Sequence, residues 1–396
     1  MTRKEKFKIR SSGVQDKQAW DTYVLSHPNG LAYHLFAWKE AVEQAYGFDC
    51  PYFVAEMDAQ ICGLLPTAHI HWPLRSGSLV SLPYCDIGGI LADSAEIAEA
   101  LLAHVLDYAQ KCSIPCIELR SGGGGRFVNW NTGVLGGEEG DDWIRHNNQS
   151  TNISSISNKP IPQSTNISNT PPTKVRMLLS LPETSKVLMA SFKSKLRSQV
   201  KKPSRDGLTS VLGGAELIND FYAVFAENMR DLGSPVHSRK WIQSVLQAYG
   251  SRARCGLVYM PDGSPAACGI ILLHDRTVSI PWASALRRFN RYSPNMLLYW
   301  SFLEYAADNG YAFFDFGRST PGEGTYKFKT QWGAKPQPLH WMMIETQSGT
   351  AHSLSVPDTQ ESSQDRCRKL AEKAFQSMPI PLAMLVGCKL RKYISL

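Results

Sequence analysis

The sequence predicts an α/β protein that contains two tandem copies of one α/β unit, separated by a low-complexity insertion. The order helix, hairpin, strand, helix, strand occurs twice, about two hundred residues apart. Two segments also agree between the copies: VAEMDAQICGLL is similar to LVYMPDGSPAACGIIL, and YAQKCSIPCIEL is similar to YAADNGYAFFDF. Because both pairs occur in the same order along the chain, duplication explains them better than chance does.

The first copy covers residues 1–120. Its apolar residues follow a helical spacing, then two short runs around a polar turn, then a strand, a long helix and a closing strand. The expected elements are a helix at 35–45, a hairpin with its turn at 58–60, a strand at 79–82, a helix with Asp93 or Ser94 as N-cap, and the strand IPCIELR.

Residues 121–173 differ in composition from both copies. They contain SGGGG, the acidic run GGEEGDD and two occurrences of STNIS, with few residues that a core would bury. Such a segment does not bury enough apolar surface to offset its conformational entropy. We therefore expect a linker or insertion that is largely disordered.

The second copy covers residues 174–350 and repeats the order of the first. Its expected elements are the strand VRMLLSL, the helices SFKSKLRSQVKK, FYAVFAENMRDLG and SRKWIQSVLQAYG, the hairpin ARCGLVYMPDGSPAACGIILLH, a strand at 278–283, the helix SPNMLLYWSFLEYAADNG and the strand AFFDFG. Aligning the copies pairs three sets of residues: Gly63 with Gly269, Tyr108 with Tyr305, and Glu118 with Asp315.

The segment after AFFDFG is present only in the second copy. Glycines and a proline between 317 and 324 predict a bend. Rings and charges then alternate from Tyr326 to Lys329, a pattern typical of an amphipathic edge strand with its lysines in water. The other interpretation is a cationic, aromatic segment of a functional site.

A C-terminal helical segment covers residues 351–396. Its apolar run at 378–388 is followed by Lys389, Arg391 and Lys392. Two interpretations stay open: a closing helix that packs on the body of the protein, or an anchor at a membrane surface.

Composition limits the classes of function. The 42 Lys and Arg residues against 35 Asp and Glu residues give a net charge of +7, which suits an anionic ligand, nucleic acid or a membrane surface. No run of eighteen apolar residues occurs, and no apolar stretch follows the basic N-terminus, so we expect neither a membrane span nor a secretion signal. The nine cysteines include no CxxC pair, which favours thiols in a reducing cytoplasm over disulfides or a metal site.

Three segments carry a resemblance to a known family: SFKSKLRSQVKKPSRDGL, NMRDLGSPVHSRKW and SPNMLLYWSFLEYAADNGYAFFDFGRSTPGEGTYKFKTQWGAKP. Together with the order of elements, they resemble the FemAB family, in which two units of the GNAT acyltransferase fold stand in tandem. Within that family the chain is most similar to the FemAB-like proteins of exopolysaccharide and exosortase (PEP-CTERM) systems. The resemblance covers most of the chain apart from the insertion and the two ends.

The resemblance implies transfer of an acyl or aminoacyl group to an amine of a cell-envelope or exopolysaccharide precursor. Such a reaction needs donor and acceptor held together, a stabilised oxyanion and removal of a proton. In the family, a lysine of a Y-x-F-K segment lies near the reacting carbonyl, and Lys329 is the matching residue here. A cation there stabilises developing negative charge, whereas the alternative is an edge-strand lysine in water.

Several further residues are candidates for this site. Asp315 is the carboxylate of AFFDFG, and apolar burial makes a carboxylate more basic, so it is a candidate general base. Its alternative role is structural, with Arg318 neutralising it, although Arg318 is also a candidate clamp for a phosphate or carboxylate of the acceptor. His237 is a candidate proton shuttle, or an ordinary surface histidine. We also expect acceptor contacts from Tyr326, Lys327 and Trp332.

The donor is expected to be acyl-CoA or aminoacyl-tRNA, with no permanently bound cofactor. Acetyl-CoA enzymes of the GNAT fold have glycines before a helix whose N–H groups hold the pyrophosphate, but the corresponding segment here is RFNRYS, 288–293. RSGGGG, 120–125, fits the glycine pattern at the wrong place and is taken as accidental. The basic stripe of SFKSKLRSQVKK suits phosphates, although such stripes are usually solvated. The candidate donor ligands are Lys195, Arg197, Lys201, Arg288 and Arg291.

Three classes of function stay open. The first is an N-acyltransferase in the cytoplasm or at the inner membrane face, with a small-molecule or lipid-linked sugar or peptide acceptor, and with tRNA as a partner if it carries the donor. The second is a non-catalytic GNAT-fold binding protein of the polysaccharide and envelope assembly machinery, favoured by the missing glycines. The third, an RNA-binding protein, is weaker because the aromatic segment lies far from the basic helix in sequence.

Overall fold

The computed structural model describes residues 7–73, 76–122, 127–129, 134–136, 174–348, 350–353 and 363–395. Within these ranges the chain is a mixed α/β protein with one long central sheet and helices on both of its faces.

The elements of the first unit are β1 (Lys8–Ser11), α1 (Lys17–Ser26), α2 (Phe36–Tyr46), β2 (Phe53–Met57), β3 (Gln60–Leu65), β4 (Ala68–Ile70), β5 (Ser78–Val80), β6 (Leu91–Ala92), α3 (Ala95–Lys111) and β7 (Cys116–Gly122). The expected helices, hairpin and strands are among them, whereas β1, α1, β4 and β6 were not expected from the sequence. Strands β2 and β3 form the predicted hairpin. The Ser94 hydroxyl accepts a hydrogen bond from the Ile97 N–H, so Ser94 is the N-cap of α3.

Two short antiparallel strands follow within the insertion, β8 (Phe127–Asn129) and β9 (Val134–Gly136). The other residues of the predicted disordered insertion, from 137 to 173 and in two shorter stretches, lie outside the described residues.

The second unit also follows the expected order. Its elements are β10 (Val175–Ser180), α4 (Ser185–Ser191), α5 (Ser194–Arg205), β11 (Thr209–Gly213), α6 (Ile218–Asp231), α7 (Arg239–Tyr249), β12 (Ala253–Tyr259), β13 (Pro265–Leu273), β14 (Thr277–Ala285), α8 (Pro294–Asp308), β15 (Phe313–Ser319), α9 (Gly324–Gln331), β16 (Lys335–Glu345) and β17 (Ala351–Ser353). The C-terminal segment adds α10 (Ser363–Ser377) and α11 (Ile380–Arg391).

The central sheet joins both units. Its strand order is β11-β12-β13-β14-β15-β10-β16-β7-β5-β4, and β17 pairs with β16 at the side. Strand β16 of the second unit pairs antiparallel with β7 of the first unit and with β10. The two units are therefore hydrogen-bonded to each other in the middle of one sheet. The sequence, interpreted as two successive domains, did not predict this pairing.

Each unit contains one parallel strand pair at the same position. Val80 of β5 lies opposite Glu118 of β7, and Ser279 of β14 lies opposite Asp315 of β15. In both pairs the carboxylate is the last paired residue of the closing strand, so the alignment of Glu118 with Asp315 is confirmed by the pairing.

The two aligned glycines have the same function in packing. A Cβ on Gly63 would lie 2.6 Å from the side chain of Ile97 on α3, and a Cβ on Gly269 would lie 2.8 Å from the ring of Phe302 on α8. In each unit the glycine lets the crossing helix approach the sheet closely.

Aromatic side chains fill the interface between the units. Helix α2 of the first unit packs along α7 of the second. The Trp38 ring meets the Trp241 ring edge to face at 5.2 Å and stacks on Trp282 of β14. Trp38 and Trp241 are completely buried, so the aromatic interface is enclosed as a domain core is.

Helix α11 packs on the body of the protein, as the first interpretation of the C-terminal segment predicts. Gly387 lies so close to the Pro235–Val236 main chain that a Cβ there would be 2.9 Å from the Val236 nitrogen. Leu382 and Leu385 on the other side of α11 are 46% and 60% exposed. Among the described residues, none of the helices combines the length and apolar character needed to cross a membrane.

Candidate active site

Strands β14 and β15 separate near the middle of the central sheet. They pair only through Thr277–Ser279 and Phe313–Asp315. Beyond these residues β14 pairs with β13, while β15 pairs with β10. The result is a wedge between the two strands, here called the β14/β15 opening. Gly317 lies on its rim with a φ of 70°, a conformation that glycine adopts without strain.

Lys329 lies beside this opening and is only 8% exposed. Its Nζ donates hydrogen bonds to the carbonyl oxygens of Gly317, at 3.1 Å, and Arg318, at 2.6 Å. Burial lowers the pKa of Lys329 to about 8, and the carboxylates of Asp86 and Asp315 partly oppose this shift. The interpretation of Lys329 as an edge-strand lysine in water is therefore wrong.

The whole Tyr326–Lys329 segment is helical, and the expected edge strand is absent there. Helix α9 begins at Gly324 and contains both lysines. The rings of Phe328 and Trp332 pack on each other at 6.2 Å, which their four-residue spacing allows in a helix. The alternation of rings and charges over only four residues therefore did not distinguish a helix from a strand.

Asp86 completes the site and was missed in the sequence. It lies in the first unit, in the loop between β5 and β6, and its Oδ2 accepts a hydrogen bond from the Arg318 N–H at 3.1 Å. Its Oδ1 is 3.5 Å from the Arg318 Nε. Asp86 stands alone in the apolar run PYCDIGGIL, the same pattern that drew attention to Asp315. That pattern could have identified it, but its position across the unit boundary could not be predicted.

Asp315 is held by a different arginine from the one expected. Its Oδ2 is 2.9 Å from the Nε of Arg176 on β10, and its Oδ1 accepts a hydrogen bond from the Gly317 N–H at 2.8 Å. Pairing with Arg318 is therefore wrong. Both oxygens are engaged and the side chain is 3% exposed. This geometry does not favour Asp315 as a general base, and that role stays a prediction.

Arg318 borders a polar cleft at the end of β15. The cleft is lined by Lys174, Arg318, Ser319, Thr320, Glu323 and Thr325. The Arg318 guanidinium lies 5.1 Å from the centre of the Trp341 ring, and the side chain remains 34% exposed. The buried Ser319 hydroxyl has no hydrogen-bond partner among the described residues. The cleft thus offers the Arg318 guanidinium to an anionic ligand, whereas the Ser319 hydroxyl is enclosed and not accessible from it.

The three acceptor contacts predicted on this segment fall in different environments. Trp332 is 1% exposed and packs in the core of the second unit against the ring of Phe192, so its assignment as a ligand contact is wrong. Tyr326 is partly buried against the same core. Lys327 is exposed on α9.

His237 is buried, so it is not a surface histidine. Its Nδ1 lies 2.9 Å from the Tyr46 hydroxyl, and its ring packs among Tyr84, Trp241 and Trp282. Burial holds the pKa of His237 well below its usual value, because the charged ring would lose its hydration. A neutral, enclosed imidazole in the aromatic interface does not fit a proton shuttle to solvent.

The predicted donor ligands lie on two neighbouring segments. Arg288 and Arg291 are in the turn before α8, and the other three are on α5: Lys195, Arg197 and Lys201. Lys202 of α5 donates to the Arg291 carbonyl at 2.8 Å, which places α5 beside the turn that precedes α8. Arg291 lies over the Tyr292 ring, and Arg288 pairs with Glu227. Lys195 and Lys201 are exposed on α5. Arg197 instead donates to the Phe192 carbonyl at the end of α4, so part of its charge is used within the fold.

Comparisons with known proteins agree with this architecture. A family model described as an acetyltransferase (GNAT) domain matches residues 190–330. A crystal structure of FemX is similar, with a TM-score of 0.59 and 13% identity, covering 92% of this chain and all of the other. The C-terminal domain of a proposed lysylphosphatidylglycerol synthetase from Agrobacterium fabrum has a TM-score of 0.50 and 12% identity, covering 92% and 97%. No curated protein matches.

These likenesses concern the fold. The family model lies within the second unit, and the repeated parallel strand pair and close-packed glycines show the same arrangement in the first. The predicted fold class, two GNAT-like units in tandem, is confirmed.

Proposed function

We propose that this chain is a FemAB-like N-acyltransferase whose substrates react in the β14/β15 opening. Its second unit matches the model of a GNAT acetyltransferase domain. The observation that carries the proposal is Lys329. An ammonium group desolvated in a protein interior costs free energy, and here it sits on the two carbonyls at the rim of the opening. A position that costs stability is expected where the charge has a function.

Lys329 is the proposed oxyanion donor. An ammonium group has three N–H donors, and the carbonyls of Gly317 and Arg318 use two of them. The third is available to the oxygen of a tetrahedral intermediate. With a pKa of about 8, Lys329 is mainly protonated at pH 7 and can stabilise that negative charge.

Asp86 replaces Asp315 as the proposed proton acceptor. The Asp86 side chain is 26% exposed, so an incoming amine can reach it, while Asp315 is enclosed by Arg176 and Gly317. Arg318 lies next to Asp86 and is the proposed clamp for a phosphate or carboxylate of the acceptor.

The donor is proposed to bind with its phosphates near the N-terminus of α8. Lys202 and Arg291 meet there, and exposed Lys201 lies one residue away on α5. Either acyl-CoA or aminoacyl-tRNA carries phosphates that suit this basic surface. Because the turn before α8 has no glycine, we do not extend the acetyl-CoA phosphate loop to this chain.

The acceptor is proposed to be an amine on a cell-envelope or exopolysaccharide precursor, of the kind handled by exosortase-linked systems, met in the cytoplasm or at the inner membrane face. The exposed Leu382 and Leu385 on α11, followed by Lys389, support contact with an anionic membrane surface. Leu382→Glu with Leu385→Glu should abolish sedimentation with phosphatidylglycerol vesicles. Val187→Glu, at an exposed apolar residue of α4, should not.

The transferase proposal is tested by product formation. The purified chain is incubated with acyl-CoA or aminoacyl-tRNA and a set of amino-sugar and peptide acceptors, and products are identified by mass spectrometry. Lys329→Met should lower the rate by about 10²–10³, the effect of removing one oxyanion donor. Lys240→Met, at an exposed lysine of α7, should leave it unchanged. A wild-type rate of transfer in a Lys329→Met, Arg318→Gln double variant would show that the reaction does not take place at this site.

A non-catalytic binding protein is the second candidate, favoured by the turn Arg287–Tyr292, which lacks the glycines of a phosphate loop. It predicts thermal stabilisation by a sugar nucleotide or acyl donor without any product. Stabilisation that depends on Lys329 and Arg318, together with no transfer from any donor, would favour this candidate over the enzyme.

A further inference from the structure

The first unit has its own counterpart of the β14/β15 opening, and the chain fills it. Strands β5 and β7 stop pairing after Val80 and Glu118. The space beyond them holds the guanidinium of Arg120, which is fully buried and paired with Glu118 at 2.7 Å. It also holds the main chain of Ser395, whose carbonyl accepts from the Arg120 Nη1 at 3.0 Å.

The segment Arg391–Ser395 is fixed there by several contacts. The Ser395 hydroxyl donates to Glu118 at 3.3 Å. The Tyr84 N–H donates to the Ser395 carbonyl at 2.6 Å, and the Tyr84 hydroxyl donates to the Lys392 carbonyl at 2.5 Å. The Arg391 guanidinium lies over the Tyr84 ring at 5.8 Å. Tyr84 therefore contacts three residues of this segment, Arg391, Lys392 and Ser395.

Tyr84 also belongs to the loop that carries Asp86. This loop, Leu82–Gly88, has two non-glycine residues in the left-handed region, Leu82 with a φ of 99° and Tyr84 with a φ of 66°. Such conformations are unfavourable for non-glycine residues and persist only where surrounding contacts impose them. Arg120 Nη1 supplies part of this constraint, because it donates to the carbonyls of Leu82 and Cys85 as well as Ser395.

We propose that the segment Arg391–Ser395 is a brace that holds the Leu82–Gly88 loop in the conformation presenting Asp86 to Arg318 and the β14/β15 opening. Tyr84 is the positioning residue. Asp86 follows Tyr84 by two residues, so a change in the Tyr84 main chain is transmitted directly to the carboxylate. The importance of this brace for catalysis rests on the proposed function, but its existence does not.

The brace is tested without any transfer assay. The full chain is compared with Tyr84→Phe, which loses one hydroxyl bond, and with a chain that ends at Arg391. Ile394→Ala is the matched control, since the Ile394 side chain is 38% exposed and the main-chain contacts stay in place. Hydrogen exchange measured by mass spectrometry follows the 82–88 peptide, with the β14 peptide 277–285 as an internal reference.

Removal of residues after Arg391 should accelerate exchange in 82–88 at least tenfold, Tyr84→Phe should accelerate it less, and Ile394→Ala should have no effect. Exchange at 277–285 should stay unchanged. Unchanged exchange at 82–88 in the shortened chain would overturn the brace. So would equal acceleration in both peptides, since the segment would then only stabilise the whole fold.

A second measurement reports whether Asp86 keeps its position near Lys329. Competitive labelling with acetic anhydride over a range of pH measures the pKa of Lys329, which Asp86 raises and burial lowers. If the brace positions Asp86, the shortened chain should shift the Lys329 pKa downward, toward the value in Asp86→Asn. A Lys329 pKa that moves in Asp86→Asn and stays at the wild-type value in the shortened chain would show that Asp86 keeps its place without the segment.

Discussion

The titration of Lys329 is the most direct test of the candidate site, because it needs no knowledge of the substrates. The perturbation is Lys329→Met, which keeps an unbranched side chain and removes the charge. The pKa of this lysine falls from 10.5 to about 8 through burial. Between these two values the unfolded chain holds a proton that the folded protein has released, so the free energy of unfolding rises with pH.

The magnitude follows from that shift. For one group with these two pKa values, the contribution to the free energy of unfolding grows by about 2 kcal/mol between pH 7.5 and pH 9.5. Other groups titrate in the same window, but the difference between the wild-type chain and Lys329→Met removes their common contribution. The difference should therefore increase by about 2 kcal/mol in favour of the wild-type chain over this range.

The assay is urea unfolding of both proteins at half-unit steps from pH 7.5 to 9.5, with Lys240→Met as the control that should show a constant difference. A difference between wild type and Lys329→Met that stays constant within about 0.5 kcal/mol would refute the reasoning, because Lys329 would then titrate as an exposed lysine does. A decrease with pH would mean that the folded protein raises this pKa.

Three further predictions concern the frame around the site. Arg176→Met should cost about 3–5 kcal/mol because it leaves Asp315 buried without its cation, while the double variant with Asp315→Leu should recover most of this in a double-mutant unfolding cycle. Trp332→Ala should cost about 3–5 kcal/mol by calorimetry, as expected for a core residue, and a cost below 1 kcal/mol would contradict its burial. Gly269→Ala should lower the melting temperature through about 1–3 kcal/mol of overpacking against Phe302, and an unchanged melting temperature would show that α8 can move away.

The fold was accessible from the sequence because its signals are local and repeated. The hairpin β12–β13 and the Ser94 cap of α3 depend on residues within one element or its turn. The alignment of Gly63 with Gly269 indicated a duplication. Its physical cause is the same in both units, because each glycine allows a helix to approach the sheet closely. Internal repetition thus supplied a check that a single copy would not have offered.

The sequence by itself determined the two α/β units and their order, and its resemblance to a known family made Lys329 a candidate site residue. Only the tertiary structure decided how that lysine is placed and with which groups. A four-residue alternation fits a strand or a helix equally well, and packing of Phe328 on Trp332 selects the helix that buries Lys329. Asp86 is 243 positions away from Lys329 in the chain, from 86 to 329, and reaches the site because β16 joins the two units into one sheet. Charge pairing of this kind depends on distances in space, and spacing along the chain does not encode them.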